Sequence, residues 1–102
     1  MIDVRLSAPT LRVLKIMLDD PRKGRSGADL SLAAKVGSGT LYPLLRRLEG
    51  AGWLQAEWED AEPMEVGRPK RRFYWLTAEG QNSAREAFRD FQAPQGVPSW
   101  GF

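Results

Sequence analysis

Gly39, Thr40, Tyr42, Pro43 and Arg46 share one side of a helical wheel, opposite Leu41, Leu44, Leu45 and Leu48. The first set is small, hydroxyl-bearing or cationic. The second is wholly leucine. Such a helix buries its leucine side and offers its polar side to a partner. Ser38, Thr40 and Tyr42 carry hydroxyls that can bond phosphate oxygens, and the Arg46 guanidinium can pair with phosphate or with a guanine edge. Small residues at a helix start allow close approach, and free N–H groups there favour an anion. A second cationic group lies downstream. Arg68, Lys70, Arg71 and Arg72 crowd a turn shaped by Gly67 and Pro69, just after the acids Glu57, Glu59, Asp60, Glu62 and Glu65. Both groups offer noncovalent chemistry: neutralising phosphates, bonding base edges and placing a basic hairpin tip in a minor groove.

Covalent chemistry has little to work with. The chain has no Cys and no His, which removes disulfides, thiolate nucleophiles, imidazole bases and the usual zinc ligands. The acid cluster lacks the spacing and central glycine of a calcium loop, and a solvated acidic arm is its plain reading. No nucleophile stands near a base in the sequence. The chain is expected to be no enzyme and to need no metal or cofactor. Fifteen Lys and Arg against thirteen Asp and Glu give a net charge of +2, which hides an acidic arm followed by a basic one. The start, Met1-Ile2-Asp3-Val4-Arg5, lacks the layout of a signal peptide, and no apolar run is long enough to span a membrane. A cytoplasmic protein without membrane contact is expected.

Punctuation and periodicity supply the elements that must hold these residues. Ser7 caps a first helix that runs to Asp20, with Pro9 in its first turn and Pro21 as its stop. Its apolar arc, Leu11, Leu14, Leu18 and Met17 extended by Val13 and Ile16, is about twice the ~100° that one core requires. Ser26 and Asp29 form a capping box for a second helix reaching about Lys35, and Gly37-Ser38-Gly39 breaks it. The third helix starts between Ser38 and Thr40, so that Pro43 falls in its first turn, and Gly52 ends it. Leu54, Ala56 and Trp58 then alternate with Gln55, Glu57 and Glu59, a half-buried strand. A loop over 61–69 leads to a second strand, Lys70 to Leu76, with Tyr74 and Leu76 on one face. Thr77 caps a fourth helix carrying Ala84, Ala87, Phe88 and Phe91. The fold class is mainly α with a two-stranded β-hairpin: a winged helix-turn-helix of three helices, a wing and a C-terminal helix. Residues 1–92 form one domain, and 93–102 a flexible tail.

The run Gly39-Thr40-Leu41-Tyr42-Pro43-Leu44-Leu45-Arg46-Arg47-Leu48-Glu49, then Gly52-Trp53-Leu54, then Gly67-Arg68-Pro69-Lys70-Arg71-Arg72-Phe73-Tyr74-Trp75-Leu76-Thr77-Ala78-Glu79-Gly80, resembles the PadR family of bacterial transcriptional regulators. The resemblance spans about Leu11 to Gly80. It implies a winged-helix dimer that represses promoters and often answers to a small-molecule effector. By position, Ser38, Thr40, Tyr42 and Pro43 would meet DNA from the recognition helix, and Arg68 and Lys70 from the wing. Two features depart from the family: Gly27 to Leu30 lacks the tyrosines often found there, and one helix plus a tail follows the wing.

The expected interface with double-stranded DNA is thus Ser38, Gly39, Thr40, Tyr42, Pro43 and Arg46 with Arg68, Lys70 and Arg71. Among the wing cations, Arg71 or Arg72 is expected to pair with acids, leaving Arg68 and Lys70 free. A homodimer is expected through the first and fourth helices, using Val13, Ile16, Ala84, Ala87, Phe88 and Phe91, because one monomer core is not expected to cover them all. The function expected is a sequence-specific regulator, a repressor on a pseudo-palindromic operator. The rival is a winged-helix module that binds protein and not DNA. Trp53, Trp58, Trp75 and Trp100 could line an aromatic ligand site, but strand tryptophans more commonly pack across strands.

Overall fold

The computed structural model describes residues 6–60 and 67–92, excluding the side chains of Phe91 and Gln92. The expected tail over 93–102, the acids Glu62 and Glu65, and the contact assigned to Phe91 lie outside the described residues. Helix α1 is Ala8–Asp19. Its cap is Ser7, whose Oγ accepts from the Thr10 N–H at 3.4 Å and shares a hydrogen bond with Thr10 Oγ1 at 3.0 Å. Strand β1, Arg25–Ser26, leads directly into α2, Gly27–Ala34. The Ser26–Asp29 capping box closes α2 reciprocally: Asp29 N–H donates to Ser26 Oγ at 3.1 Å and Ser26 N–H donates to Asp29 Oδ2 at 3.2 Å. Helix α3 is Ser38–Gly50, β2 is Leu54–Trp58, β3 is Arg72–Leu76 and α4 is Ala78–Gln92.

The winged helix-turn-helix is present, with one strand more than expected. The sheet has three strands in the order β1-β3-β2, both pairings antiparallel. Arg25 faces Tyr74 and Ser26 faces Phe73. Two residues are too few to show a period, so β1 leaves no sequence signal. The turn between α2 and α3 also shifts, although both helix boundaries fall where expected. Lys35 takes the left-handed conformation at φ 56° and ends α2, so the turn falls over 35–37, and Ser38 and Gly39 are already helical. Pro43 therefore sits one turn deeper than expected, inside α3. Its missing N–H leaves the Gly39 carbonyl without its helical donor.

Val13, Leu14 and Met17 of α1 join Leu30, Leu41, Leu44, Leu45, Leu48, Leu54, Tyr74, Leu76 and Ala84 in one core. This corrects the interface expectation at three positions. Val13, Ala84 and Ala87 are buried inside the single chain, at 0%, 0% and 6% exposure. The wide apolar arc of α1 is covered by two helices of its own chain, since α1 packs against both α2 and α4. Ile16 and Phe88 pack against the core but stay half-buried, as does Leu18.

The wing and α4 meet at a joint that admits no side chain at position 80. Thr77 N–H donates to the Trp53 carbonyl at 2.9 Å, and Thr77 Oγ1 donates to the Gly52 carbonyl at 2.7 Å while accepting from the Gly80 N–H at 2.9 Å. A Cβ on Gly80 would collide with the Trp53 carbonyl, a backbone group that cannot swing aside. Gly80→Ala is therefore expected to lower stability by about 1–3 kcal/mol or more, although alanine is the better helix former. Leu45→Ala should cost about 2–5 kcal/mol through its core cavity. Urea denaturation followed by circular dichroism checks both; a Gly80→Ala protein as stable as the parent would refute the joint.

Candidate nucleic-acid interface

The burial of Leu41, Leu44, Leu45 and Leu48 fixes which side of α3 faces out. Ser38, Gly39, Thr40, Tyr42, Pro43, Arg46 and Arg47 are all exposed. The cap residue Gly37 has no side chain with which to bond the first N–H groups, and the first turn carries no acid. The positive end of the helix is thus open to an anion. A methyl group at Gly39 would meet nothing within 4 Å. Arg46 has no ion-pair partner among the described residues.

Tyr42 is less free than the sequence suggests. It is 44% exposed, and its ring lies over Gly27, where any Cβ would collide with it. The start of α2 thus braces the tyrosine. Gly27 is a residue that sequence reasoning missed, because a glycine needed for close approach looks like any other.

The wing differs from expectation in its ion pairs. Arg68 is not free. It grips Glu59 with both arms of its guanidinium, Nη1 to Oε1 at 2.7 Å and Nη2 to Oε2 at 3.0 Å. Glu59 Oε1 also accepts from the Arg71 N–H at 3.3 Å, and the Glu59 N–H donates to the Arg71 carbonyl at 2.7 Å. The Arg68 hydrogen bond holds the Glu59 carboxyl below its ordinary 4.5, more than partial burial raises it, and Glu59 in turn pushes Arg68 up. Arg72 pairs with an acid, but that acid is Glu49 near the end of α3, at 3.2 Å, and not one from the acidic arm. The Arg72 guanidinium also lies 5.3 Å from the Trp58 ring centroid. Among the described residues, Lys70 and Arg71 make no side-chain ion pair. Register explains the difference: Trp58 faces Arg72, so the neighbours of Glu59 are the residues just before β3.

A cleft of about 350 Å³ runs between α3 and the wing, lined by Gly27, Tyr42, Trp58, Lys70, Arg71, Arg72 and Tyr74. Burial pushes the Tyr74 phenol up, with Arg72 opposing. Trp53 packs against the core, and Trp75 covers Gly24 and lies 6.4 Å from Phe73, so both are used in packing. Trp58 is 61% exposed. Trp100 lies outside the described residues. No group of three or more potential metal ligands exists among the described residues. No helix among them is long and apolar enough to cross a membrane.

Two helices joined by a short turn, the second with a bare polar face and a basic hairpin beside it, define the winged-helix class. The model of the transcriptional regulator PadR-like family matches residues 28–86, and the chain belongs to that family. Among solved structures, a PadR-like transcriptional regulator from Bacillus cereus is similar at 22% identity and a TM-score of 0.62, over 79% of this chain and 78% of that one. AbfR in its reduced form bound to DNA is similar at 20% identity and a TM-score of 0.69, over 91% of this chain and 60% of that one. Staphylococcus aureus MepR in a DNA-binding conformation is similar at 17% identity and a TM-score of 0.68, over 84% of this chain and 58% of that one. This chain thus spans about three fifths of the AbfR and MepR chains. No curated protein sequence matches it.

Because the folded Glu59 carboxyl titrates below its unfolded value, its stabilising contribution is complete above the ordinary 4.5 and is lost as pH falls through the lower, folded value. The pair is partly solvated, with side chains 32% and 16% exposed, so screening keeps the effect small. Glu59→Gln is expected to lose less stability than the parent between pH 5 and pH 3, approximate limits set by the usual glutamate range. Urea midpoints across that window check this, and parallel acid limbs would contradict it.

Proposed function

We propose that the protein is a sequence-specific DNA-binding regulator that represses transcription as a homodimer on a pseudo-palindromic operator, without catalysis and in the cytoplasm. The observation that carries this reading is the exposed face of α3. It is small, polar and cationic, lies at an uncapped helix start and has a basic wing beside it. Family membership supports it, as do the folds of AbfR and MepR, whose structures were determined bound to DNA or in a DNA-binding conformation. In this reading the start of α3 enters the major groove. Thr40, Tyr42 and Ser38 bond phosphates, and Arg46 reaches a phosphate or a guanine. A protein-binding module would place exposed apolar residues on this face. The chain's most exposed leucine, Leu32 at 81%, is on α2 instead.

The wing then works through Lys70 and Arg71, while Arg68 serves as a brace. Each phosphate neutralised contributes about −0.9 to the slope of log K against log salt. Lys70→Ala combined with Arg71→Ala should flatten the slope by about 1, and Arg68→Ala should act chiefly by loosening the wing. Gly39→Ala should raise stability by about 0.5–1 kcal/mol, since the site is open and helical, yet weaken binding by keeping the helix off the duplex. Selection of bound sequences from random duplexes, followed by fluorescence anisotropy at several salt concentrations, checks the reading. Binding that ignores salt, or that survives all these changes, would sink it.

The dimer is proposed through the surface that the monomer core leaves uncovered. Lys15, Leu18 and Asp19 of α1 and Arg85, Phe88 and Arg89 of α4 line one groove, with apolar and charged groups of both signs. A two-fold pairing there buries Phe88 and Leu18 and sets charge against charge. It would carry two α3 helices to successive major grooves, about 34–36 Å apart. Sedimentation equilibrium should return twice the 11.5 kDa of one chain, and Phe88→Asp should return the monomer. A parent protein that sediments as a monomer and protects one asymmetric half-site would refute the dimer alone.

A further inference from the structure

The inner face of the sheet runs farther than the core beneath it. By register, Leu54, Ala56 and Trp58 of β2 share that face with Leu76, Tyr74 and Arg72 of β3. At the root of the wing the face is core: Leu54, Leu76 and Tyr74 are 3%, 5% and 6% exposed. At the outer end none of the described residues covers it, and Trp58 stands 61% exposed at a position whose alternation points inward. The ring is held there, because Arg72 lies against it and is itself tied to Glu49 of α3. Across the cleft is Tyr42, which also belongs to the exposed face of α3. Lys70 and Arg71 complete the lining, and neither has an ion-pair partner among the described residues.

Such a lining suits an occupant with an anionic part and an apolar part side by side. We propose that the cleft seats one deoxyribose-phosphate unit of the duplex backbone, with the Trp58 indole against the sugar and the phosphate between Lys70 and Arg71. The proposal rests on the reading of the protein as a duplex-DNA binder and adds Trp58 as a contact residue. Charge decides for the backbone over an apolar partner: Lys70, Arg71 and Arg72 line the cleft with no acid beside them, and only Arg72 is paired, with Glu49. Continuity through Tyr42 places the backbone strand beside the bases that α3 reads. The sugar contact adds affinity without neutralising a phosphate, so it leaves the salt dependence unchanged.

The test uses the full chain labelled with 5-fluorotryptophan, the Trp58 resonance being assigned with Trp58→Phe. A saturating duplex of the selected sequence should shift that resonance and remove most of its change between water and heavy water, while Trp53 and Trp75 keep theirs. Trp58→Ala should bind the duplex about tenfold more weakly with the same salt slope, and Trp58→Phe should recover most of the loss, as expected of an aromatic contact surface. If the duplex binds by anisotropy while Trp58 keeps its full solvent shift and Trp58→Ala binds normally, the seat is wrong and the DNA reading stands. If no duplex binds, both fail. If phenyl phosphate protects Trp58 at micromolar concentration and the duplex does not, the cleft is a small-anion site and the proposal is overturned.

Discussion

Everything on the functional surface depends on the leucine face of α3. Burying one leucine is worth about 1.5–3 kcal/mol, and Leu41, Leu44, Leu45 and Leu48 are all buried. Turning the helix on its axis would expose that face and cost much of a small domain's stability. The rotation of α3 is thus fixed, and with it the direction in which Thr40, Tyr42, Pro43 and Arg46 point. Function is free to choose the outer residues other than Tyr42, whose ring lies over Gly27, because the core takes nothing from them. Gly37 and Gly39 show that freedom in use: a better cap and a better helix former would each fit in open space, and neither is present.

The wing is positioned by contacts too weak to count as stability. An exposed ion pair typically contributes about 0–1 kcal/mol. Glu49–Arg72 and Glu59–Arg68 are both partly solvated, so their value is geometric. The first fastens the outer end of the paired strands to the end of α3. The second joins the outgoing arm to the returning one beyond the last paired residues. Together they set the distance between the recognition face and the cations of the wing. That division of labour removes Arg68 from the set of free cations and leaves Lys70 and Arg71.

Features written locally in the chain were legible in it. The Ser7 cap, the Ser26–Asp29 box, the Thr77 cap, the leucine face and the alternation in β2 each follow from a few neighbouring residues, and all are present. What escaped depends on which distant residues meet. The helical wheel showed an apolar arc on α1 wider than one packed neighbour needs, but not that α2 and α4 of the same chain cover it. Charges on the two arms of the hairpin could pair in several ways, and only the register selects Glu59 for Arg68 and leaves Arg72 to Glu49. Trp58 obeys the alternation and is exposed all the same, because the strand outruns the core. Pro43 at the helix start was the cheapest position for a proline, and the chain places it deeper.

The central claim is that the exposed face of α3 is where duplex DNA is read. It is tested most directly by titrating ¹⁵N-labelled protein with the selected duplex and following the backbone amide signals. The account predicts that the largest shifts fall on residues 38–46 and 70–72, while Leu32 and Ala33 on the outer side of α2 hardly move. Shifts centred on Leu32 and Ala33, with the signals of Thr40, Tyr42 and Arg46 unchanged, would contradict it.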